Sequence, residues 1–340
     1  MLVSLCIIAY NEEKYLPGLF KDIAEQDFSH SQVEIILIDA MSEDGTRKIM
    51  EDFSKERTDF YKIGIYENSL KTQPTGWNVA IEAATGDVII RVDAHSHIPY
   101  DFVSNNIRCI ESGEFIAGGA RPSLPENNTP WSNTMLVAET SMFGSGAAIY
   151  RRENETGKKY VNSLFHAAYR KEVFEATGGF NEKLIRTEDN ELHYRMRKAG
   201  YRFCFDSSIK SYQYTRSTFL KMIRQKFQNG YWIGITTFVC PACLSIFHYV
   251  PFLFIGAIGV TGILAGLGIP VFMYLLWAVY FLGDFAMSAV AIVKEAKEGR
   301  FNALLLLLPL LFMFLHLSYG IGTLGGLIAA PFKLSRKSNG

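Results

Sequence analysis

Three long apolar stretches toward the C-terminal end limit what this chain can fold into more than any other feature. They cover roughly residues 244–267, 270–293 and 303–329. Each reaches the roughly 20 residues that a helix needs to cross the hydrocarbon core of a bilayer. A buried helix of a soluble protein can be as apolar, but soluble cores rarely use three such runs in succession. The C-terminal region is therefore predicted to lie in a membrane.

A short charged island at residues 294–300 separates the second stretch from the third. Positively charged loops favour the cytoplasmic side, so two crossings before the island place the N-terminal region in the cytoplasm. A third full crossing would put Lys333, Arg336 and Lys337 outside, against this tendency. Pro309 and several glycines are compatible with a bent or re-entrant third stretch, so the sequence leaves two or three full crossings open.

The rest of the composition places the N-terminal region. Of the 340 residues 49% are hydrophobic, and they are concentrated between residues 241 and 332, whereas the first two thirds resemble an ordinary globular protein. A formal net charge of zero disfavours a general nucleic-acid binder. Residues 2–9 are too short for the apolar core of a signal peptide. We therefore expect a multi-pass protein of the inner (cytoplasmic) membrane with its N-terminal domain in the cytoplasm.

These shifts predict four segments: a globular domain at 1–215, an amphipathic interface region at 216–240, a membrane domain at 241–332 and a basic tail at 333–340. Within the second segment, Lys221, Arg224 and Lys226 alternate with apolar residues at helical spacing. Such a basic amphipathic helix is typical of a membrane interface. A charged helix that packs on its own domain is the alternative, and the position directly before the apolar region favours the interface.

The N-terminal domain alternates between strand and helix patterns. Apolar runs predict strands at residues 2–9, 33–39, 59–67, 87–92 and 115–119, and helical spacing predicts helices at 15–23, 45–53, 76–84, 101–110, 171–176 and 188–199. This alternation predicts βαβ units and a mostly parallel, Rossmann-like α/β sheet. Ligands of such sheets bind beyond the carboxyl ends of the strands, where Glu12, Asp39 and Asp93 lie.

Asp93 and His95 are the strongest candidates for chemistry. They follow an apolar strand, two residues apart in an extended segment, so both side chains can point into one cleft. A carboxylate and an imidazole can together hold a divalent cation, with diphosphate oxygens as the other ligands. The alternative is a polar loop that caps the next helix.

Two further acidic sites are weaker when taken alone. Asp39 ends a strand and is followed by a Ser/Asp/Gly turn, so its carboxylate could accept a hydrogen bond from a nucleobase or simply belong to a helix cap. Glu188 and Asp189 begin a helix, where acidic residues are common for electrostatic reasons. The pair Cys240 and Cys243 has no partner motif, which favours two small apolar residues over a redox or metal site.

The order of these elements resembles the inverting, metal-dependent glycosyltransferases of the GT-A fold, often called family 2. The resemblance covers about residues 2–230. It implies that Ala9, Tyr10 and Glu12 in the opening strand and loop contact the nucleoside and that Asp39 binds uracil. The segment Gly-Trp-Asn, which ends in Asn78, resembles the helix that leads to the strand carrying the metal ligands. Asn78 is therefore assigned, with Ala9, Tyr10, Glu12 and Asp39, to the nucleotide-sugar site.

The resemblance extends to the metal and the catalytic base. Asp93 matches the first Asp of the DxD motif and is assigned to the nucleotide-sugar and metal sites. Gly178-Gly-Phe-Asn-Glu followed by Glu188-Asp189 resembles the element that carries the catalytic base, which implies catalytic roles for Glu188 and Asp189, with Asp189 as the base. Gln225 and Trp232 fall near the Q-x-x-R-W position, on the acceptor or diphosphate side.

Two departures refine this expectation. His95 stands where the motif has its last Asp, which resembles the succinoglycan-type transferases of bacterial exopolysaccharide synthesis. Because histidine can also bind a metal, we still expect a divalent cation, Mn²⁺ or Mg²⁺, at this site. The segment from Gln225 to Trp232 lacks the Arg of the Q-x-x-R-W motif and its spacing, which argues against a processive polymerase and for addition of one sugar.

The resemblance therefore implies a membrane-bound enzyme that transfers one sugar from a nucleotide-diphosphate sugar, a UDP-sugar, to a lipid-linked saccharide with inversion. A nucleotidyltransferase is one alternative, but a Gly-rich phosphate loop with a basic residue is not evident in the sequence. A non-catalytic membrane scaffold with a degenerate nucleotide-sugar domain is another, and Asp93, Glu188 and Asp189 argue against it.

Overall fold

The computed structural model describes residues 1–145, 155–215 and 218–336. The described residues form two compact units. The first unit contains the described residues of Met1–Ser123 and Ala148–Tyr214. The second contains those of Leu124–Ala147 and Thr215–Gly340. Leu124–Ala147 thus groups with the C-terminal helices, which the composition of the chain does not indicate.

The strands are β1 (Val3–Ala9), β2 (Val33–Asp39), β3 (Lys62–Glu67), β4 (Val88–Asp93), β5 (Ser96–His97), β6 (Ile116–Ala120), β7 (Ser123–Leu124), β8 (Lys158–Val161), β9 (Ala167–Arg170), β10 (Phe203–Lys210) and β11 (Tyr212–Tyr214). The helices are α1 (Leu16–Ala24), α2 (Thr46–Glu56), α3 (Gln73–Ala83), α4 (Phe102–Glu111), α5 (Pro130–Thr140), α6 (Met142–Ser145), α7 (Lys171–Thr177), α8 (Glu188–Lys198), α9 (Phe219–Val239), α10 (Val250–Gly266), α11 (Val271–Lys297) and α12 (Leu308–Arg336).

An eight-stranded sheet in the order β3-β2-β1-β4-β9-β6-β10-β8 forms the centre of the first unit. Strands β1 to β4 pair in parallel, β9 runs antiparallel to both its neighbours, and β10 is parallel to β6. The register pairs Ala9 with Asp39 and Ile8 with Asp93. The predicted parallel strands are therefore confirmed, and their carboxyl ends bring together the loops expected to bind a ligand.

Helices cover both faces of this sheet because its central strands are apolar on both sides. Alternate residues of β1 face opposite clusters, with Leu5 and Ile7 in one and Cys6 in the other. Helices α1, α2 and α4 supply the first cluster, and α3, α7 and α8 supply the second. The result is a three-layer α/β domain.

Buried Glu34 fastens the amino-end edge of the sheet, opposite the predicted ligand edge. Its carboxylate accepts hydrogen bonds from the Ser4 hydroxyl, from the Thr85 N–H at 2.6 Å and hydroxyl at 2.8 Å, and from the Gly86 N–H at 3.0 Å. Four donors satisfy a carboxylate that is removed from water. Glu34 thereby joins β1 and β2 to the turn that precedes β4.

Between residues 122 and 145 the structure differs from the sequence-based expectation. The sequence patterns predict no strand or helix here, whereas the structure contains the short β7 followed by α5 and α6. The Thr129 hydroxyl caps α5 by accepting from the Ser132 N–H at 3.2 Å. Residues 146–154, which follow α6, lie outside the described residues. Apolar residues of α5 pack with α9 and α12, which explains why α5 belongs to the second unit.

The second unit confirms the apolar stretches as helices. Three segments are long and apolar enough to cross a membrane, judged by length and composition: Ile246–Gly266, Val271–Lys297 and Ala303–Ser335. The amphipathic helix predicted within residues 216–240 is α9, which ends at Val239. Its location in a membrane interface stays a prediction.

Glycines bring α9 and α12 into close contact. Gly230 and Gly234 on α9 face α12, and Gly322 and Gly326 on α12 face α9. A Cβ atom at Gly326 would clash with the backbone carbonyl of Tyr231. Small residues four apart on both helices allow backbones to approach, a packing typical of helices in membranes.

Candidate active site

The loops after β1 and β2 are joined at the carboxyl edge of the sheet. The Asn11 N–H donates to the Ser42 hydroxyl at 3.0 Å, and its side-chain oxygen accepts from the Glu43 N–H at 2.8 Å. The Glu12 N–H donates to the Thr46 hydroxyl at 2.7 Å. The predicted Ser/Asp/Gly turn is thus part of one rigid structure with the opening loop.

Backbone strain collects at the same edge. Asn11, Met41 and Lys71 have φ values of 55°, 60° and 54°, and each lies in the loop after one of the first three parallel strands. This left-handed conformation is unfavourable for residues other than glycine and concentrates at functional sites. The loops therefore have a shape that the surrounding contacts impose.

The predicted nucleoside residues line these loops. Asp39 is buried, and its Oδ1 accepts from the Ser42 N–H at 3.1 Å, while Ala9 is buried in the adjacent strand. The Tyr10 side chain is exposed, and the ammonium group of Lys71 lies 5.7 Å from its ring centroid. The edge thus offers a carboxylate and an aromatic ring, which are suitable partners for a nucleobase and its sugar.

Asp93 and His95 converge on one point. The Gln213 Nε2 atom lies 3.0 Å from Asp93 Oδ2 and 2.9 Å from His95 Nε2. His95 Nδ1 lies 3.1 Å from Glu12 Oε1, so a proton on Nδ1 leaves Nε2 able to act as an acceptor or metal ligand. Among the described residues, no group of three or more His, Cys, Asp or Glu is arranged around a metal position. A carboxylate and an imidazole aimed at one point nevertheless fit two ligands of a cation completed by phosphate oxygens.

Buried His166 positions Asp93. Its Nε2 accepts from the Asp93 N–H at 3.3 Å, and its Nδ1 lies 2.9 Å from the Ser211 hydroxyl. Burial lowers the pKa of His166, and nearby arginines lower it further. Burial alone would raise the pKa of Asp93, but its interactions with His166, His95 and Arg91 outweigh it, so this pKa lies below its ordinary value. Asp93 is therefore ionised at neutral pH.

Arg91 connects β4, the strand that ends in Asp93, to the predicted catalytic base Asp189. Its Nη1 donates to Asp189 Oδ1 at 2.8 Å. The guanidinium carbon lies 4.4 Å from the ring centroid of Trp77 and 4.6 Å from that of Phe180. Because Arg91 and Asp93 are two residues apart on β4, their side chains leave the same face of the sheet. Arg91 thus sets the position of Asp189 from the strand that also carries Asp93.

Glu188 and Asp189 have opposite environments in the first turn of α8. Glu188 is 3% exposed, and its Oε2 has no hydrogen-bond partner among the described residues. Burial raises the pKa of Glu188 well above its ordinary value, and the charge of Asp189 raises it further. The side chain of Asp189 is 21% exposed and paired with Arg91. Of the two side chains, Asp189 is therefore the one that a substrate could reach.

Asn78 holds the glycine-rich loop before α8. Its Oδ1 accepts from the Phe180 N–H at 2.7 Å, and its Nδ2 donates to the Phe180 carbonyl at 3.0 Å and to Glu182 Oε1 at 2.8 Å. A Cβ atom at Gly179 would clash with Asn78 Oδ1. The side chain of Asn78 therefore supports the loop that carries Phe180, and its predicted contact with the nucleotide sugar stays a prediction.

Gln225 and Trp232 lie on α9 in the second unit. Gln225 is half-buried, and Trp232 is buried with the Lys333 ammonium group 4.1 Å from its ring centroid. Their predicted place on the acceptor or diphosphate side stays a prediction.

The sequence alone does not reveal Gln213 or His166. Gln213 lies on the short β11 and His166 directly precedes the short β9, both far along the chain from Asp93, and neither belongs to a recognisable motif. Arg91 stands beside the motif, and its position two residues before Asp93 on a buried strand is a signal that a charged partner must exist.

Comparison with known proteins identifies the family. A sequence profile described as glycosyl transferase family 2 matches residues 4–178, just over half of the chain. The chain belongs to glycosyl transferase family 2. Together with the three apolar helices, this makes the protein a membrane glycosyltransferase.

Two relatives in this family extend beyond the profile. Dolichyl N-acetyl-alpha-D-glucosaminyl phosphate 3-beta-D-2,3-diacetamido-2,3-dideoxy-beta-D-glucuronosyltransferase of Methanococcus voltae is 25% identical over 334 residues, which cover 96% of this chain and 97% of the relative. Succinoglycan biosynthesis protein ExoA of Rhizobium meliloti is 28% identical over 236 residues, which cover 67% of this chain and 68% of the relative. The first similarity includes the membrane helices.

Solved structures support the fold. The mannosyltransferase PcManGT from Pyrobaculum calidifontis, in complex with GDP-Man and Mn²⁺, has a TM-score of 0.53 at 18% identity and covers 97% of this chain and 86% of its own. S. aureus TarS 1-349 in complex with UDP-GlcNAc has a TM-score of 0.50 at 18% identity and covers 95% of this chain and 90% of its own. The family 2 member described here has a GT-A catalytic domain followed by C-terminal transmembrane helices.

Proposed function

We propose that this glycosyltransferase uses a divalent metal to transfer one sugar, with inversion, from a UDP-sugar to a lipid-linked saccharide in polysaccharide assembly. The observation that carries the proposal is the convergence of Asp93 Oδ2 and His95 Nε2 on one point, at the sheet edge that also carries Asp39. Asp189 is tied by Arg91 to the same strand as Asp93. This arrangement supports a donor nucleotide, its diphosphate and a general base at one edge of the sheet.

The nucleoside would lie on the loops after β1 and β2. Asp39 accepts a hydrogen bond from the base N–H, and Tyr10, Glu12 and the backbone near Ala9 line the same loops. Because PcManGT is in complex with GDP-Man and TarS 1-349 with UDP-GlcNAc, the relatives differ in nucleotide. The uridine assignment rests on the likeness of Asp39 and its turn to uracil-binding strand ends.

Asp93 and His95 would hold Mn²⁺ or Mg²⁺ together with oxygens of the donor diphosphate. A bound divalent cation supplies neutralisation of the negative charge that develops on the departing diphosphate. Glu12 keeps the proton of His95 on Nδ1, and His166 fixes the backbone at Asp93, so both ligands retain their orientation. Such supporting contacts determine how well a metal site is formed.

Asp189 would act as the general base. It accepts the proton of an acceptor hydroxyl, and that oxygen forms a bond to the anomeric carbon while the bond from this carbon to the diphosphate breaks. The leaving nucleoside diphosphate takes the electron pair, and attack from the opposite face inverts the anomeric centre. Glu188 lies beside this base in the first turn of α8, where burial raises its pKa.

The acceptor is inferred from the membrane helices and the relatives. The M. voltae relative is named for a dolichyl-linked acceptor, and ExoA for succinoglycan biosynthesis. Three apolar helices in the same chain would confine the enzyme to the surface where a lipid-linked saccharide is found. We place the protein in the inner membrane with its GT-A domain in the cytoplasm, and Gln225 and Trp232 on the acceptor or diphosphate side.

The test is release of nucleoside diphosphate by the detergent-purified full chain. Candidate UDP- and GDP-sugars are incubated with Mn²⁺ or Mg²⁺ and a lipid-linked saccharide, with Asp93→Ala as the control. Metal-dependent release of UDP from one donor, lost in the control, is the expected result. Release of pyrophosphate instead would indicate a nucleotidyltransferase, and absence of nucleotide binding would indicate a scaffold.

A further inference from the structure

The side chain of Gln213 occupies the point on which Asp93 and His95 converge. Its Nε2 is 3.0 Å from the Asp93 carboxylate and 2.9 Å from His95 Nε2. Both partners act as acceptors, and the amide nitrogen carries two hydrogens, so one group satisfies both. A divalent cation bound by the same two atoms would have to stand where these hydrogens are.

The orientation of this amide is determined on its other side. Arg121 Nη1 donates to Gln213 Oε1, and the guanidinium carbon of Arg121 lies 4.1 Å from the ring centroid of Phe165. Because arginine only donates, the amide oxygen must face Arg121 and the amide nitrogen must face Asp93 and His95. Arg121 is buried, which makes this orientation hard to reverse.

The backbone of Gln213 is also held in place. β11 pairs antiparallel with β5, with Gln213 opposite Ser96, and the Gln213 N–H donates to the Pro122 carbonyl at 3.2 Å. The strand that carries Gln213 thus pairs with residues directly after His95. Only the side chain of Gln213 needs to move to vacate the point of convergence.

We propose that Gln213 is a stand-in for the metal: it holds Asp93 and His95 in their ligand positions while no cation is bound, and it must withdraw its amide before a divalent cation can bind. Gln213 therefore preserves the geometry of the site at the expense of metal affinity. This inference rests on the proposed metal site at Asp93 and His95. Direct ligation through Oε1 is the competing arrangement, and it requires the oxygen to leave Arg121 and turn toward the cation.

The experiment is a titration of the full chain in detergent with Mn²⁺ alone, and again with UDP present, followed by the EPR signal of free Mn²⁺. Gln213→Ala removes the competing amide, and Gln213→Met removes it with little change of volume, which covers the case that the smaller side chain impairs folding. Asp93→Ala removes a ligand, and Gln32→Ala is a matched amide truncation on an exposed residue. Circular dichroism and the melting temperature verify the fold of each variant.

We expect both Gln213 variants to bind Mn²⁺ about tenfold more tightly than wild type, because the cation no longer has to displace the hydrogen bonds of the Gln213 amide. Gln32→Ala should match wild type, and Asp93→Ala should lose binding. Unchanged or weaker binding in folded Gln213 variants, with normal binding by wild type, would overturn the stand-in role and leave the metal site intact. Absence of Asp93-dependent binding in wild type and both Gln213 variants would overturn the metal site itself.

Discussion

The site in the first unit and the helix pair in the second unit reach close approach by opposite means. At the sheet edge, long polar side chains such as Arg91 and Gln213 bridge strands and a helix that are distant in sequence. Between α9 and α12, contact depends on the absence of side chains at Gly234 and Gly326. Chemistry at the sheet edge requires specific functional groups, whereas packing of apolar helices requires shape alone.

This contrast has an energetic basis. A buried charge such as that of Arg91 is costly unless it is paired, so the sheet edge contains few groups that could change independently. In a membrane, lipid tails are as apolar as the helices, and close van der Waals contact is what favours association. Substitutions should therefore affect catalysis in the first unit and assembly in the second.

Asp189→Asn gives the largest expected effect. We expect transfer to fall by about a thousandfold, because an amide cannot accept the proton, while affinity for UDP stays near that of wild type. UDP release with acceptor measures the first quantity, and titration with UDP measures the second. Asp52→Asn, the same change on the exposed face of α2, serves as the matched control. An equal loss of UDP affinity in Asp189→Asn would show that Asp189 binds donor and is not the base.

Substitutions of Arg91 can distinguish a role in positioning Asp189 from a role in stabilising the fold. We expect Arg91→Met to lower kcat by about a hundredfold with little change in KM for the donor, because Asp189 loses its anchor in a site where small displacements are costly. Arg91→Lys restores the charge without the planar stacking on Trp77 and Phe180, so it should recover part of this loss. Initial rates at varied donor concentration separate kcat from KM.

A purely structural role for Arg91 predicts a different pattern. Both variants would then lose melting temperature and active fraction together, with no recovery by lysine. Melting curves of the same preparations make this distinction.

Gly326→Ala tests the packing side of the contrast and has the smallest expected effect. The added Cβ would clash with the Tyr231 carbonyl, so we expect the free energy of unfolding to fall by about 1–3 kcal/mol and the melting temperature to decrease. Gly256→Ala on α10 is the matched control, because a Cβ there meets no atom within 4 Å and alanine favours helix. UDP affinity below the melting transition should be unchanged in both. Reduced UDP affinity in Gly326→Ala alone would show that helix packing in the second unit affects donor binding, which contradicts the contrast drawn above.

The parallel strands could be predicted because apolar runs with β-branched residues identify buried strands and their order along the chain. The same pattern places Asp39 and Asp93 at one edge, and the structure confirms this arrangement. The central β9 has only four residues and runs antiparallel, so no periodicity reveals that it brings His166 beneath Asp93. The helix α5 was equally hidden, because its apolar face becomes visible only when α9 and α12 are known to cover it.

Glu34 has a consequence for how this domain can diversify. Its four hydrogen bonds fasten β1, β2 and the turn before β4 at the edge remote from any ligand. These hydrogen bonds thus align the strands at the end away from the loops that follow them. The loops can therefore change in length and sequence as new donors are selected, because the hydrogen bonds of Glu34 keep the strands aligned at the other end of the sheet.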